Sequence, residues 1–474
     1  MMPQLRLTDA AVRFGGTLIN PDCHFDTVTI NSRTINEGDL FVALTGERFD
    51  AHQFLQDVAE KASGLVVSVP DKTLPLPQWV VADTTVALGD LARLRRDSFT
   101  GTVIAVTGST GKTSVKEAIA AILRQCGTVH ATAGNLNNHI GVPLTLLSMD
   151  GDTDLAVIEM GASAGGEIAY LCDIAKPDIA LINNVQNAHI EGFGSVEGIA
   201  SAKGEIYSGL QTAGTAILNL DETWYDQWRV LIGNKNQISY SVHNTAADLH
   251  AEDIQMLSNG CYQFLLCVAA MADQPATEQR IALSVPGAHQ INNALAAAAC
   301  AIAAGANVQQ VAAGLASVAA VGGRLEFKTT SSGAVVIDDT YNASPSSFEA
   351  AIDVLANYSG RRVLVMGDMA ELGDDEVSLH YQVGAYAQQA GVDALYSLGS
   401  LSANASQAFG GTHFEDRELL SEALTQELRA ALDSALDSAL DSERVTPPIT
   451  FLVKGARSSQ MEKTVEMLLT RGNT

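Results

Sequence analysis

The residues with the most chemistry lie where the apolar run Val103-Ile-Ala-Val106 gives way to Thr107-Gly108-Ser109-Thr110-Gly111-Lys112-Thr113-Ser114. A strand that ends in a glycine turn and reopens as a helix, here Val115 to Leu123, aims backbone N–H groups and the positive helix end at an anion. Lys112 adds a cation beside phosphates, and the Thr113 hydroxyl can ligate Mg²⁺. The string departs from the full Walker A pattern, because Val106 stands where that pattern has glycine. A short Gly-Lys-Thr also occurs in ordinary surface turns. The strand before it and the helix after it favour a nucleotide site lined by Gly108 to Ser114.

Further polar clusters fall at strand ends, the edge where open α/β sheets bind ligands. Glu159 closes Leu155-Ala-Val-Ile-Glu, where a carboxylate can reach a Mg²⁺ on Thr113; the competing reading is a strand-end residue facing solvent. Asn183-Asn184 ends the next run. His189 follows in Ala-His-Ile-Glu-Gly-Phe-Gly, a glycine-flanked loop that suits a metal or phosphate role better than a structural one. On its residues alone, Lys203 in Ala-Lys-Gly-Glu reads as a solvated helix lysine. Asn135-Leu-Asn-Asn138 before Ile140-Gly-Val-Pro143 is an amide cluster that a turn would also explain. His289 and Asn293 open an alanine-rich helix, and capping accounts for them. Arg324, in Gly322-Gly-Arg, suits phosphate or an interdomain ion pair. Asp338-Asp-Thr-Tyr-Asn-Ala-Ser-Pro345, Gly367-Asp-Met-Ala-Glu-Leu-Gly373 with His380, and Lys454-Gly-Ala-Arg457 repeat the sequence of strand end, polar loop and helix start.

The elements that must position these residues follow from the patterning. The chain has 474 residues, too many for one core, and 47% of them are hydrophobic. Residues 1–98 mix short strand-like runs with helix-like stretches at His52–Ala62 and Thr85–Asp97, as in a small α/β domain. Residues 99–325 alternate strands and helices, which predicts a parallel sheet with crossover helices; Ile238–Leu283 is more strand-rich and predicts an antiparallel patch. From 326 to 474 four strand-then-turn units predict a third, doubly wound domain, and no G-x-G-x-x-G marks it as a dinucleotide site. Ala431-Leu-Asp-Ser repeats three times, placing Leu428, Leu432, Leu436 and Leu440 on one helical stripe, read as an extended surface helix. A net charge of −26 argues against nucleic-acid or membrane-surface binding. The six cysteines show no metal-type spacing and read as reduced thiols of a cytoplasmic protein. The N-terminus has no signal-like apolar region, and no run reaches transmembrane length.

Taken in order, these motifs resemble the ATP-dependent Mur ligases of peptidoglycan synthesis, over essentially the whole chain. The Gly367-Asp-Met-Ala-Glu-Leu-Gly string is similar to the branch that adds a dipeptide. The diaminopimelate-adding branch's Asp-Asn-Pro-Arg string is absent. The resemblance implies three domains: a UDP-sugar-binding domain, a central P-loop ATPase domain and a C-terminal Rossmann-like domain. It implies that ATP phosphorylates the terminal carboxylate of UDP-N-acetylmuramoyl-tripeptide, and that the amine of D-alanyl-D-alanine attacks the acyl phosphate. It also assigns residues. Lys112 contacts the β/γ-phosphates, and Thr113 and Glu159 hold one Mg²⁺. His189 and a carbamylated Lys203 hold a second. Asn138 belongs to the ATP site, with Asn293 near adenine, Arg324 on the phosphates and Asp339 on the ribose. Lys454 and Arg457 complete the closed site on the substrate side. Ser32-Arg33 with Thr45, Gly46, Asp50 and His52 resemble the uridine-diphosphate-sugar-binding part.

Three positions depart from the family: Gln290 and Asn31, where relatives often have Asn and Asp, and Ala456, where Ser is common. A site shared by three domains implies closure on ligand binding, with Gly322-Gly-Arg324 as a plausible hinge. A monomer is the default expectation. Two alternatives stay open on the sequence. One is another amide ligase of the superfamily, adding a single amino acid or extending folate with glutamate. The other is a nucleotide-gated binding protein.

Overall fold

The computed structural model describes residues 4–46, 49–186, 190–271, 275–438 and 449–472. The chain divides into two compact units. One comprises Met1–Asn183, Ala200–Tyr240 and Ala296–Gly314, and the other Asn184–Ile199, Ser241–Leu295 and Leu315–Thr474. The architecture is α/β, with sheets of nine, six and five strands and two two-stranded pairs among the described residues.

In the first unit a five-stranded sheet runs in the order Thr17–Ile19, Gln78–Val80, Gly64–Val67, Leu40–Val42, Val28–Thr29. Its first pair is antiparallel and the rest parallel. The helix expected over His52–Ala62 is instead a 3₁₀ turn, Ala51–Phe54, followed by one α-turn, Leu55–Val58. Its start is held by Asp50, which accepts from the His52 N–H at 3.0 Å. Helix Thr84–Ser98 follows, capped by Asp83, whose carboxylate accepts from the N–H groups of Thr85 and Val86.

The P-loop strands of this unit run in the order Val129–Ala131, Leu155–Glu159, Thr102–Thr107, Ile179–Ile182, Thr215–Asn219, Asn236–Ser241, the parallel part of the nine-stranded sheet. Leu155–Glu159 and Ile179–Ile182 are buried at every position, the pattern of strands covered on both faces by helices. Their register brings the carboxyl ends of Thr102–Thr107, Leu155–Glu159 and Ile179–Ile182 to one edge, Val106 facing both Glu159 and Leu181.

The second unit holds a six-stranded sheet ordered Glu326–Thr329, Val335–Asp339, Ile449–Lys454, Arg361–Gly367, Ala394–Leu398, Thr412–Phe414. It is parallel except for the hairpin of its first two strands. One face packs on Phe348, Ile352 and Leu355 of helix Pro345–Ala356. The other packs on Leu420, Leu424 and Leu428 and on Val465 and Leu468. This is the doubly wound arrangement that was expected. Gly367 and Gly455 follow from neighbouring strands, and a Cβ on Gly455 would sit 3.0 Å from the Gly367 Cα, so the crossing admits no side chain there. The expected antiparallel patch forms from Leu249–Met256, Tyr262–Val268 and Thr277–Ala282.

The repeat-bearing segment forms helix Arg417–Ser438. Over residues 417–433 one face of it packs on the sheet. Leu428 and Ala431 are buried in the sheet core and Leu432 packs against them, in the cluster that holds Phe451 and Val453. The Leu436 side chain and Leu440 lie outside the described residues. No helix among the described residues is long and apolar enough to cross a membrane. Truncation of a buried leucine costs transfer energy and leaves a cavity. Leu428→Ala should therefore lower unfolding free energy in urea by about 2–5 kcal/mol, whereas a surface leucine would cost far less.

Candidate active site

Gly111 ends the turn with φ +73°, a left-handed conformation that glycine adopts without strain, and serves as N-cap of helix Lys112–Leu123. The helix begins three residues earlier than its apolar pattern, since Lys112 and Thr113 already belong to its first turn. Lys112 folds back over the loop, donating from Nζ to the carbonyls of Gly108 (2.8 Å) and Ser109 (3.2 Å). Those carbonyls hold the ammonium above the turn that would cradle phosphates. The Asn183 amide donates to the Thr110 carbonyl at 3.1 Å and ties the loop to the neighbouring strand end.

Behind the turn, the Thr113 hydroxyl donates to Glu159 Oε2 at 2.8 Å, both residues being buried. Two oxygen donors of this kind fit a hard divalent cation such as Mg²⁺, which favours carboxylate and hydroxyl oxygen and usually retains water. A buried carboxylate also needs positive charge or hydrogen bonds near it. The remaining partners of Glu159 come from residues whose roles the sequence did not reveal. Asn137 donates its amide to Glu159 Oε1 at 2.8 Å, and Thr132 Oγ1 accepts from the Glu159 N–H at 2.9 Å. Lys116, one turn into the P-loop helix and fully buried, donates to the Thr132 carbonyl at 2.8 Å and pairs with Glu117 at 2.5 Å. In the Asn135–Asn138 cluster it is thus Asn137 that reaches the carboxylate. The Asn138 side chain accepts from the N–H groups of Ile140 (3.1 Å) and Gly141 (2.9 Å), at the start of helix Gly141–Leu147.

Lys203 lies on helix Val196–Ser208 and is buried, not solvated as its sequence suggested. Burial, with the charge of Lys112 as the smaller cause, lowers its ammonium to about 7. A large share of this amine is therefore neutral near pH 7. His189 lies outside the described residues.

In the second unit, Lys454 is 2% exposed and donates from Nζ to Asp339 Oδ2 at 2.6 Å and to the Asn342 carbonyl at 2.9 Å. Asp339 Oδ1 accepts from the Leu325 N–H at 3.1 Å. Each carboxylate oxygen retains a lone pair for a further donor. The Arg324 guanidinium stacks over Tyr341, 4.0 Å from the ring centre, with its Nε buried and making no hydrogen bond. The Gly322–Arg324 segment is pinned to this strand end by Tyr341 N–H to the Gly323 carbonyl at 3.0 Å. Asn293 is buried and donates to Gln290 at 3.0 Å, one turn into helix His289–Ala303. Arg457 is exposed and faces Glu462 at 3.5 Å. His380 is structural: Nε2 accepts from the Met369 N–H at 2.9 Å and Nδ1 donates to the Glu376 carbonyl at 2.6 Å.

In the N-terminal sheet domain, the Asn31 side chain accepts from the Arg33 N–H at 3.0 Å, so it shapes the turn that presents Ser32 and the exposed Arg33. His52 donates from Nδ1 to Asp50 at 2.6 Å and accepts at Nε2 from the Ser68 N–H at 2.9 Å. Those hydrogen bonds hold Asp50 below the usual carboxylate range, its backbone partner His52 first. Thr45 donates to the same carboxylate at 3.2 Å, and Gly46 pairs with Phe49 across the hairpin. Asp50, His52 and Thr45 therefore form a network within the fold, whereas Arg33 and Ser32 stand at the surface turn.

Comparison with known proteins gives a consistent set of similarities. The family model for the Mur ligase middle domain matches residues 106–301, and that for the Mur ligase glutamate ligase domain matches residues 323–457. The chain is 44% identical over 469 residues to the UDP-N-acetylmuramoyl-tripeptide–D-alanyl-D-alanine ligase of Escherichia coli strain K12, covering 98% of each chain. It is similar in structure to MurF from Acinetobacter baumannii, with a TM-score of 0.88, 31% identity and 99% of both chains covered. It is also similar to the MurF ligase from Thermotoga maritima in complex with ADP, with a TM-score of 0.79, 28% identity and coverage of 94% of this chain and 97% of that one.

Two outcomes follow from this geometry. Asn137→Ala removes a partner that orients Glu159. Titration of activity with Mg²⁺ should show the half-saturating concentration rising about tenfold or more, as for other outer partners of metal ligands. His380 is held below its ordinary value of 6.5, chiefly by burial. Below pH 6.5 the unfolded chain takes up the proton first, so stability is complete above that pH and falls as pH drops toward the folded value. Thermal midpoints from pH 8 to 5 should fall less steeply in His380→Gln than in the unmodified chain.

Proposed function

The chain belongs to the Mur ligase family, and from this we infer that it joins D-alanyl-D-alanine to UDP-N-acetylmuramoyl-tripeptide at the expense of ATP. The products are UDP-N-acetylmuramoyl-pentapeptide, ADP and phosphate. The Thr113–Glu159 pair carries this reading: it lies beneath a glycine turn at the carboxyl edge of a parallel sheet, in a chain related along its whole length to ligases of that name. A carboxylate is a poor electrophile at neutral pH, and phosphorylation gives it a leaving group. The γ-phosphoryl passes from ATP to the tripeptide carboxylate, the dipeptide amine adds to the acyl carbon, and the tetrahedral adduct expels phosphate as the amide forms. The protein's tasks are positioning and charge neutralisation.

Lys112 follows the β- and γ-oxygens as charge shifts between them, while the N–H groups from Gly108 to Ser114 orient the phosphates. Thr113 and Glu159 would hold Mg²⁺, which when bound neutralises phosphate oxygens. Lys203 would accept CO₂ as a carbamate. Its lowered pKa supports this, because only the neutral amine attacks CO₂, and with His189 the resulting anion would hold a second Mg²⁺. Asn138 and Asn293 serve the nucleotide, with Asn293 at adenine, Arg324 at the phosphates and Asp339 at the ribose. Ser32, Arg33, Thr45, Gly46, Asp50 and His52 serve the UDP-sugar, Arg33 as its exposed cation. Lys454 and Arg457 serve the peptide side, and Lys454 in addition fixes Asp339. The domains run 1–98, 99–325 and 326–474, and the enzyme works in the cytoplasm as a monomer.

Phosphate release with each component omitted in turn, and mass detection of the product, tests the assignment. Release should require ATP, Mg²⁺, the tripeptide and the dipeptide together and should yield the pentapeptide; release that ignores the dipeptide would overturn the ligase assignment, and ATP turnover without any carboxylate acceptor would indicate a nucleotide-gated binding protein. Lys112→Ala should lower kcat/KM by on the order of 10²–10³, the usual cost of one donor at a developing charge. Isotope-labelled bicarbonate should give a carbamate carbon resonance that is absent from Lys203→Arg, and its absence from the unmodified chain would remove the carbamate.

A further inference from the structure

The antiparallel patch of the second unit carries a cluster that the ligase reaction does not use. His250 on strand Leu249–Met256 stands directly opposite Cys267 on strand Tyr262–Val268, and Cys267 stands opposite Glu278 on strand Thr277–Ala282. Glu252 is two residues beyond His250 and therefore on the same face. The ligand atoms of His250, Glu252 and Cys267 all lie within 4.8 Å of one another. His250 Nε2 is 3.4 Å from a Glu252 carboxylate oxygen, close to the edge of a tetrahedral zinc site, roughly 3.5 Å for the usual bond lengths. His250 Nδ1 is buried and makes no hydrogen bond, so the ring is held by its neighbours and not by a partner on that nitrogen. Arg280, the cation on the adjacent strand position, is engaged by Asp253 at 2.6 Å.

We propose that this face is a zinc site, with His250, Glu252 and Cys267 as ligands and water in the fourth position. An imidazole, a thiolate and a carboxylate form a donor set that a borderline-soft cation prefers over Mg²⁺. Cys267 is buried. Binding of Zn²⁺ releases its thiol proton as the S–Zn bond forms. The two strands that carry the ligands would then be cross-linked through one ion, and the folded state would gain stability with metal concentration.

Co²⁺ is the probe. The metal-stripped full-length chain, in saturating Mg²⁺ so that oxygen-donor sites are filled, should take up one equivalent of Co²⁺ with a sulfur-to-metal charge-transfer band. Zn²⁺ should displace it. Cys267→Ser should lose the band. His250→Ala and Glu252→Gln should weaken binding at least about tenfold, since even outer partners cost that much. Ligase activity without added zinc should be the same in all three variants, which also reports on their folding. No band in the unmodified chain, or a band that survives Cys267→Ser, overturns the proposal.

Discussion

The buried contact between Thr113 and Glu159 is the constraint on which the rest of the P-loop region depends. An ionised carboxylate inside a protein is costly unless donors surround it, and here two come from separate elements. The hydroxyl belongs to the first turn of a helix and the amide of Asn137 to a loop, while the Thr132 hydroxyl, at a strand end whose carbonyl is held by Lys116, accepts from the Glu159 N–H. The parallel register that sets Val106 beside Glu159 is what allows helix and carboxylate to meet. The same donor pair offers a divalent cation its oxygen ligands, so one arrangement serves both packing and chemistry.

Lysine environments show how one residue type is put to different uses. Lys112 sits over the backbone carbonyls of the glycine turn. Lys116 is buried against Glu117 and a carbonyl and acts as a brace. Lys203 is buried beside another lysine and is driven toward its neutral form. Lys454 is locked to Asp339 and orders the strand end that also receives Arg324 and Leu325. Desolvation and neighbouring charge separate these four, and neither can be read from the flanking residues.

The histidines divide in a similar way. His52 and His380 each have one ring nitrogen donating and the other accepting within the fold, which fixes the orientation of both rings. His250 differs, because one of its nitrogens is buried with no hydrogen bond while the other approaches a carboxylate and a thiol. Nothing in the spacing of His250 and Cys267 along the chain distinguishes them from the other two.

By itself the sequence determined the α/β class, the strand-turn-helix that makes the P-loop, the antiparallel patch and the doubly wound C-terminal sheet. Those features are local: apolar periodicity, glycine at the turn and polar residues at strand ends are properties of contiguous segments. The family was legible for the same reason, as an ordered set of short strings. Only the tertiary structure decided that Asn137, not its neighbour Asn138, reaches Glu159, that Lys203 and Lys116 are buried, and that the leucine stripe of helix Arg417–Ser438 faces a sheet. It alone placed Cys267 between His250 and Glu278. Each of these depends on which distant segment covers a side chain, and burial and cross-strand register arise only when the segments pack.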